Sequence, residues 1–228
     1  MYKDRLLDLA QTAVKSALKQ KADQAQAATF LIEDALTRYA NSQIHQNIAY
    51  KEGGVITKVV VNRRVGTLRV NSLELKEIQE AASQAVKIAR ASPVNEDFRT
   101  FPDPEPWKPI NGAFDRETAE STPDFRADSV KDVIERAHSE SNHVQAVAGS
   151  FHSGSYTFAV TNSLGVSTWA AVTKSSLQAT VISHLNDSNG FGSAEQYSRK
   201  IGDIDPVTVA AQAAEKSVRS INPKKIAV

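Results

Sequence analysis

The sequence has five histidines, and one pair of them lies close together in the chain. His138 and His143 flank Glu140 in the run His-Ser-Glu-Ser-Asn-His, whose residue types can bind zinc. A zinc-binding helix of the H-E-x-x-H type sets its histidines four residues apart, so that both imidazoles face one way. A separation of five residues turns them about 140° apart on a helix. We therefore interpret the run as surface polar residues at the end of a helix and assign no metal ligand to it.

The other three histidines have no second ligand nearby in the sequence. His45 and His152 fall in predicted strands, and His184 precedes a predicted loop from Asn186 to Gly190. The segment from Gly149 to Gly154 contains serines but lacks the G-x-S-x-G spacing of a nucleophile elbow. We interpret that segment as a strand running into a turn, and the histidines as non-catalytic residues.

The sequence also lacks phosphate-binding motifs, and its one group of neighbouring aspartates does not indicate a ligand site. The chain has no P-loop and no G-x-G-x-x-G run after a strand, and the glycines of Gly190–Ser193 lead into a strand. Asp187, Asp203 and Asp205 lie near one another in predicted loops, but Asp205 before Pro206 fits a helix N-cap. The residues alone therefore predict no catalytic, metal-binding or cofactor-binding residue, and substrate-binding residues stay unknown.

Composition excludes several classes of protein. The 228 residues are 41% hydrophobic and 23% charged, which is close to the globular average and argues against a disordered chain. A net charge of +1 gives no electrostatic basis for direct nucleic-acid binding. The absence of cysteine excludes disulfides, thiolate ligands and cysteine nucleophiles. The charged, periodic N-terminus resembles neither a signal peptide nor a membrane span, and we expect a cytoplasmic protein without a membrane partner.

Periodic segments predict the elements that position these residues. Apolar residues recur at helical spacing from Leu6 to Leu18, and β-branched residues make Val55 to Val61 the clearest strand. Strands are also predicted from Ala25 to Glu33 and from Leu36 onward. The run Glu52-Gly53-Gly54 predicts a hairpin turn, because glycine accepts positive φ.

The strand and helix from Val65 to Pro93 return between Phe191 and Pro223. Gly66 aligns with Gly192 and, after an insertion of three residues, the helices align at Ala81 with Ala210, Ala82 with Ala211, Ala85 with Ala214, Lys87 with Lys216 and Arg90 with Arg219. Earlier elements repeat with a nearly constant offset, since Val130, Val133, Ile134 and Ala137 match Ala10, Ala13, Val14 and Ala17, and Asn162-Ser163 matches Asn41-Ser42. The sequence therefore predicts an internal duplication, in which one structural unit occurs twice.

This duplication predicts an α+β fold. Pseudo-repeat units 1–93 and 127–223 each contain a helix, antiparallel strands and a helix. We predict antiparallel strands because a turn as short as Glu52-Gly53-Gly54 cannot make a parallel crossover, which needs a dozen or more residues. Each copy is too small for an independent core, so we expect one broad sheet with its helices packed on one face. A proline-rich crossover, 94–126, joins the copies. We expect it to be ordered by its aromatic residues, Phe98, Phe101, Trp107 and Phe114.

The order of elements resembles the N-terminal half of the TldD/PmbA family, the "modulator of DNA gyrase" proteins. The similar stretches are K-A-D-Q-A-Q (Lys21–Gln26), R-R-V-G-T-L-R-V-N-S-L (Arg63–Leu73), A-V-K-I-A-R-A-S-P (Ala85–Pro93) and the closing run Ser198–Ile226. The resemblance covers nearly the whole chain, which implies a single N-terminal domain over 1–228. Its C-terminal tail is most similar to the PmbA-like branch.

The resemblance implies a cytoplasmic subunit that forms dimers. In TldD-type subunits an H-E-x-x-x-H helix and a later cysteine hold zinc for peptide hydrolysis, whereas PmbA-type subunits lack these ligands and pair with active ones. That machinery belongs to the C-terminal half, which is expected beyond Val228. The spacing of His138 and His143 equals the family motif, but Glu140 stands one place too late and the chain has no cysteine. No catalytic residue or zinc ligand is therefore carried over.

Two functions stay open at this point. The leading one is a non-catalytic N-terminal domain of a TldD/PmbA-like metalloprotease subunit that contributes to dimerisation and to a peptide-holding cavity. Its partners would be a second TldD/PmbA-type subunit, identical or different, and an unfolded peptide, and this chain alone is expected to be inactive in proteolysis. The alternative is a stand-alone regulatory domain, binding protein or nucleic acid, with no enzymatic activity.

Overall fold

The computed structural model describes residues 2–108 and 110–224. Pro109 of the crossover and Lys225-Ile226 of the closing run lie outside these ranges. The first half contains α1 (Lys3–Lys19), β1 (Gln24–Ala40), β2 (Gln43–Val61), β3 (Arg64–Val70) and α2 (Leu75–Ala91). The second half contains α3 (Arg116–Ala119), α4 (Pro123–Glu140), β4 (Val144–Asn162), β5 (Ser167–Leu185), β6 (Ser188–Ser198), a 3-10 helix (Ile201–Asp203) and α5 (Pro206–Arg219). Within the described residues, no helix is both long and apolar enough to cross a membrane.

The six strands form one sheet in the order β3-β2-β1-β4-β5-β6. The outer pairs, β2 with β3 and β5 with β6, are antiparallel. The sequence of helix, three strands and helix occurs twice, and β1 and β4 are neighbours at the centre. The predicted α+β fold with one broad sheet is confirmed.

The β1–β4 pair is closed at each end by the same hydrogen bonds. Ser42, in the β1–β2 turn, donates its N–H to the Val147 carbonyl at 2.9 Å, and its hydroxyl accepts the Val147 N–H at 3.2 Å. Ser163, in the β4–β5 turn, bonds to Ala25 in the same way at 2.8 and 3.1 Å. The repeated dipeptide Asn-Ser therefore makes a repeated contact, which supports the duplication seen in the sequence.

The chain divides into two compact units whose residues come from both halves of the sequence. The first unit comprises Met1–Ile32, Lys51–Asn111 and Tyr156–Ala171. Its core joins α1, α2 and one face of β1 and β2. Alanine and valine dominate this core, which allows the helices to approach the strands closely. Thr29 completes the contact by donating its hydroxyl hydrogen to the Leu6 carbonyl at 2.8 Å.

The second unit comprises Glu33–Tyr50, Gly112–Ser155 and Val172–Val228. Its core joins α4 and α5 with one face of β4, β5 and β6, and Tyr39 of β1 belongs to it. The Tyr39 hydroxyl donates to the Gln178 carbonyl at 2.7 Å, and burial raises the pKa of this phenol well above its ordinary value. In each unit the two helices therefore pack on a single face of the strands.

The predicted turn at Glu52-Gly53-Gly54 is wrong. β2 runs through these residues, and the chain turns at Asn41 and Ser42, with φ of 51° and 59°. A Cβ on Gly53 would lie 2.6 Å from a methyl carbon of Leu73, and one on Gly54 would lie 2.4 Å from the Val70 carbonyl oxygen. The glycines serve close packing in a strand rather than positive φ.

Three further predicted boundaries are also wrong. Leu36 does not begin a second strand, since β1 continues from Gln24 to Ala40. The segment Gly149–Gly154 lies wholly inside β4, without a turn. The predicted loop from Asn186 to Gly190 shrinks to a two-residue turn between β5 and β6, with Asn186 at φ 51°.

Aromatic residues order the crossover, as predicted for three of the four. Phe101 is buried and packs edge-to-face with Phe98, and Trp107 stacks on Trp169 at 5.2 Å between ring centroids. Phe114 is 36% exposed and stacks on no other ring among the described residues. The end of the segment is helical, because α3 and the first turn of α4 precede residue 127.

The glycine pair Gly66 and Gly192 fixes the register of the repeated helices. A Cβ on Gly66 would lie 2.2 Å from the Ala85 carbonyl oxygen and 2.4 Å from the Ala89 nitrogen. A Cβ on Gly192 would lie 2.2 Å from the carbonyl oxygen of Ala213 and 2.3 Å from the nitrogen of Ser217. Ala85 therefore corresponds to Ala213 rather than to Ala214, and the insertion between the copies is two residues, not three.

We expect Gly66→Ala and Gly192→Ala each to destabilise the domain by about 1–3 kcal/mol, because the new methyl group meets helix backbone that cannot move aside cheaply. Gly202→Ala is the matched control, since a Cβ there meets no atom within 4 Å. Urea unfolding followed by circular dichroism measures the difference. Equal midpoints for Gly66→Ala and Gly202→Ala would contradict the close approach.

Candidate functional site

The second unit carries ionisable side chains on the face of the sheet opposite to its helices. Successive residues of a strand point to opposite faces. Tyr39, Phe151 and Leu177 belong to the core beneath the helices. We define the helix-free face of this unit by the side chains that alternate with those core positions, which are Asp34, Arg38, Tyr50, His152, Lys174, Phe191 and Tyr197.

Asp34 is the centre of this face. Its Oδ2 accepts hydrogen bonds from the Tyr50 hydroxyl at 2.9 Å and from Lys174 Nζ at 3.2 Å. The residue is 8% exposed, and its Oδ1 is buried without a hydrogen-bond partner among the described residues. A Cβ on Gly154 would lie 2.7 Å from that Oδ1, so a glycine is needed for the carboxylate to pack against β4. The site is therefore a buried carboxylate held on one side by a phenol and an ammonium.

His152 lies on the same face, two residues before Gly154. Burial lowers the pKa of its imidazole, the Asp34 carboxylate opposes this, and the charges of Lys174 and Arg38 add to the lowering. The neutral imidazole is thus favoured in the folded protein. It can accept or donate one hydrogen bond without adding charge to the cluster.

Arg126 is a second unusual group. It is 1% exposed in the first turns of α4, and burial lowers the pKa of its guanidinium. One terminal nitrogen donates to the Ser121 carbonyl at 3.2 Å and the Ser153 hydroxyl at 3.3 Å, and the other donates to Asn47 Oδ1 at 3.3 Å. Its Nε has no partner, and no described carboxylate lies within 4 Å of the guanidinium. Arg126 therefore connects α4, β4 and β2 as an unpaired buried cation.

The residues singled out in the sequence do not come together. α4 ends at Glu140, between His138 and His143, as the interpretation of that run requires. His138 Nε2 lies 2.9 Å from the Ser42 hydroxyl, and His184 Nδ1 lies 2.7 Å from Asn189 Oδ1. Asp205 is the N-cap of α5, as predicted, and accepts the Val207 N–H at 3.0 Å.

The described residues do not form a zinc site like the one that the family resemblance implies for TldD-type subunits. Among them, no group of three histidine, cysteine or acidic side chains is close enough to share a metal ion. The Ser42 hydroxyl contacts one ring nitrogen of His138, Nε2.

One family model matches part of the sequence, and solved structures share the fold. The sequence model of the PmbA/TldA metallopeptidase central domain matches residues 116–221. No curated protein matches the sequence. Solved structures share the fold: TldE from Thermococcus kodakarensis aligns with a TM-score of 0.84 at 16% identity, over 92% of this chain and 47% of that one.

Two candidate modulators of DNA gyrase share the fold as well. The protein from Thermotoga maritima aligns with a TM-score of 0.84 at 18% identity, over 96% of this chain and 49% of that one. The protein from Bacteroides thetaiotaomicron aligns with a TM-score of 0.85 at 22% identity, over 99% and 52%. This chain spans about half the length of these three structures.

The fold and its central pair of strands thus define a duplicated α+β domain of the type found in TldE and the gyrase-modulator proteins. The match over residues 116–221 and the shared fold support a domain of the TldD/PmbA family. The matched family model describes its second repeat as part of a central domain, which refines the resemblance to an N-terminal half.

We expect Arg126→Ala to destabilise the domain by about 2–4 kcal/mol through loss of packed volume. Arg126→Met keeps most of that volume and removes the unpaired cation, so its loss should stay below about 1.5 kcal/mol. Urea unfolding at neutral pH compares the two variants. Arg136→Ala is the control, because Arg136 lies on the same helix in an exposed ion pair with Glu140. A Met variant as unstable as the Ala variant would show that the hydrogen bonds of the guanidinium dominate.

We also expect the free energy of unfolding to fall as the pH is lowered from above 6.5 towards the folded-state pKa of His152. The folded-state pKa lies below the ordinary value of 6.5, so the unfolded chain binds more protons in this window. His152→Gln should flatten the dependence, measured by urea unfolding at pH 7.5 and 5.5. His45→Gln, at an exposed position of β2, is the control. An unchanged slope in the His152 variant would contradict the assignment.

Proposed function

We propose that this chain is a non-catalytic domain of a cytoplasmic TldD/PmbA-like metalloprotease subunit, which forms a dimer and lines a cavity that holds a peptide. The family match and the shared fold support the membership on which this proposal rests. Hydrolysis belongs to a separate catalytic half in this proposal, and the PmbA-like branch is the one we assign.

The observation that carries the proposal is the chemistry of the helix-free face. Large apolar side chains stand exposed on its strands, with Tyr50 51%, Phe191 59% and Tyr197 71% exposed, and Ile48 on β2 43% exposed. Exposed apolar groups that surround polar ones are typical of surfaces that bind another protein. The buried carboxylate of Asp34 and its ammonium partner Lys174 give the same face fixed charges for orienting a peptide.

The exposed apolar residues also suit a dimer contact. Burying one such side chain gains about 1.5–3 kcal/mol, and a symmetric contact uses each residue twice. A charged group at Ile48 would have to be desolvated in that contact, so its effect on assembly should be large.

Light scattering after size-exclusion chromatography tests the dimer. We expect the purified chain to elute with twice the mass of the 24.8-kDa chain, and Ile48→Glu to elute as a monomer. Leu75→Glu is the matched control, because Leu75 is 51% exposed but lies on α2. A monomeric wild-type chain at tens of micromolar, or a dimer unaffected by Ile48→Glu, would overturn the assigned contact.

The same preparation tests the rest of the proposal. We expect no hydrolysis of a fluorogenic peptide with or without added zinc. Peptide hydrolysis by this chain, or stoichiometric zinc at His138 and His143, would contradict a non-catalytic role. Tight DNA binding that weakens steeply with salt would instead favour a nucleic-acid-binding regulatory domain.

A further inference from the structure

The outer edge of β6 is partly blocked by α5. Residues of an edge strand alternate between pairing with their neighbour and pointing their N–H and C=O groups outward. The Ser220 hydroxyl accepts the Phe191 N–H at 2.7 Å and lies 2.9 Å from the Phe191 carbonyl oxygen. The backbone N–H and C=O of Phe191 therefore point away from β5 and are occupied by Ser220. Lys216 Nζ caps the next outward carbonyl, that of Ser193, at 2.8 Å.

The edge beyond Ser193 is open. By the same alternation, the N–H and C=O groups of Glu195 and Tyr197 face outward, and no described residue bonds to them. Edge strands commonly carry lysine or proline that prevents further pairing, and β6 contains neither. The open stretch is too short to pair with a second long strand, but it is long enough for a few residues of an extended peptide.

A groove adjoins this open edge. It has a volume of about 320 Å³ and is lined by Gln178, Ser193, Ala194, Glu195, Gln212 and Lys216. The Lys216 ammonium has further donors besides the one given to Ser193, and no described carboxylate lies within 4 Å of it. The Gln212 side chain adds an amide to the groove, which is a second hydrogen-bonding group beside this charge.

From these contacts we propose that β6 binds an extended peptide as an additional strand at Glu195–Tyr197, with the peptide's C-terminal carboxylate at Lys216. Main-chain pairing gives affinity that depends little on sequence, and the ammonium supplies charge complementarity to the carboxylate. Because Lys216 adjoins Ser193 and the open edge continues towards Tyr197, the peptide runs antiparallel to β6. This inference deepens the peptide-holding role proposed above and rests on it.

Tyr197 and Glu195 are already ordered for this role. The Tyr197 hydroxyl donates to Glu195 Oε2 at 2.9 Å, and this hydrogen bond is the main cause of the raised pKa of the phenol. The two side chains lie on the helix-free face, so they would flank the side chains of an added strand rather than block its backbone.

Fluorescence anisotropy with a labelled Thr-Val-Thr-Val peptide tests the proposal, using the free carboxylate and the C-terminal amide as the two probes. We expect the free acid to bind at least tenfold more tightly than the amide. Lys216→Met should remove this difference, whereas Lys87→Met should keep it. Lys87 is the matched control, being an exposed lysine of α2 beside a groove on the first repeat.

Glu195→Pro tests the backbone pairing, because it removes an outward N–H without removing a bond to β5. We expect it to abolish binding of both probes, while Glu195→Gln retains the binding, and circular dichroism verifies that both variants fold. Equal binding of acid and amide, equal effects of Lys216→Met and Lys87→Met, or no binding of either probe would overturn the inference. A dimeric, inactive chain that binds neither probe would refute the edge site and leave the proposed function standing.

Discussion

The pairing of β1 with β4 is the contact on which the rest of the structure depends. Ser42 and Ser163 close this pair by using both a backbone N–H and a hydroxyl. In the β1–β2 turn, Asn41 and Ser42 take positive φ. A slip of one residue would move every side chain of a strand to the opposite face. The two serine contacts therefore determine that Tyr39 faces the helices and that Asp34 lies on the helix-free face.

The same register explains where glycine is required. Gly66 and Gly192 lie under α2 and α5, where helix backbone occupies the place of a side chain. Gly154 lies against Asp34 on the other face, where a carboxylate occupies that place. Both kinds of contact join residues far apart in the chain. For this reason the sequence pattern predicted glycine as a turn former at Gly53-Gly54 and missed its packing role.

Local signals located the main helices and the duplication, but they misplaced strand boundaries at Leu36 and at Gly53-Gly54. Apolar spacing located α1, and the dipeptide Asp205-Pro206 marked the start of α5, because capping depends on neighbours in sequence. The charged cluster had no such signal, since Asp34 meets Tyr50 and Lys174 across three strands. For Arg126, the alignment of the two repeats did contain a signal. It occupies the position that Leu6 holds in the first repeat, where a buried cation replaces a buried leucine.

The surfaces where function is proposed lie outside the apolar core of the second unit. The helices of the second unit repeat most of the apolar positions of their counterparts, and Arg126 in place of Leu6 is an exception. The helix-free face and the β6 edge take no part in that core. Charged and exposed groups, including Lys174, Lys216 and Tyr197, are found on these surfaces. In the second unit, the apolar core therefore lies on one face of the sheet, and the groups used in the two proposals lie on the other face and at the β6 edge.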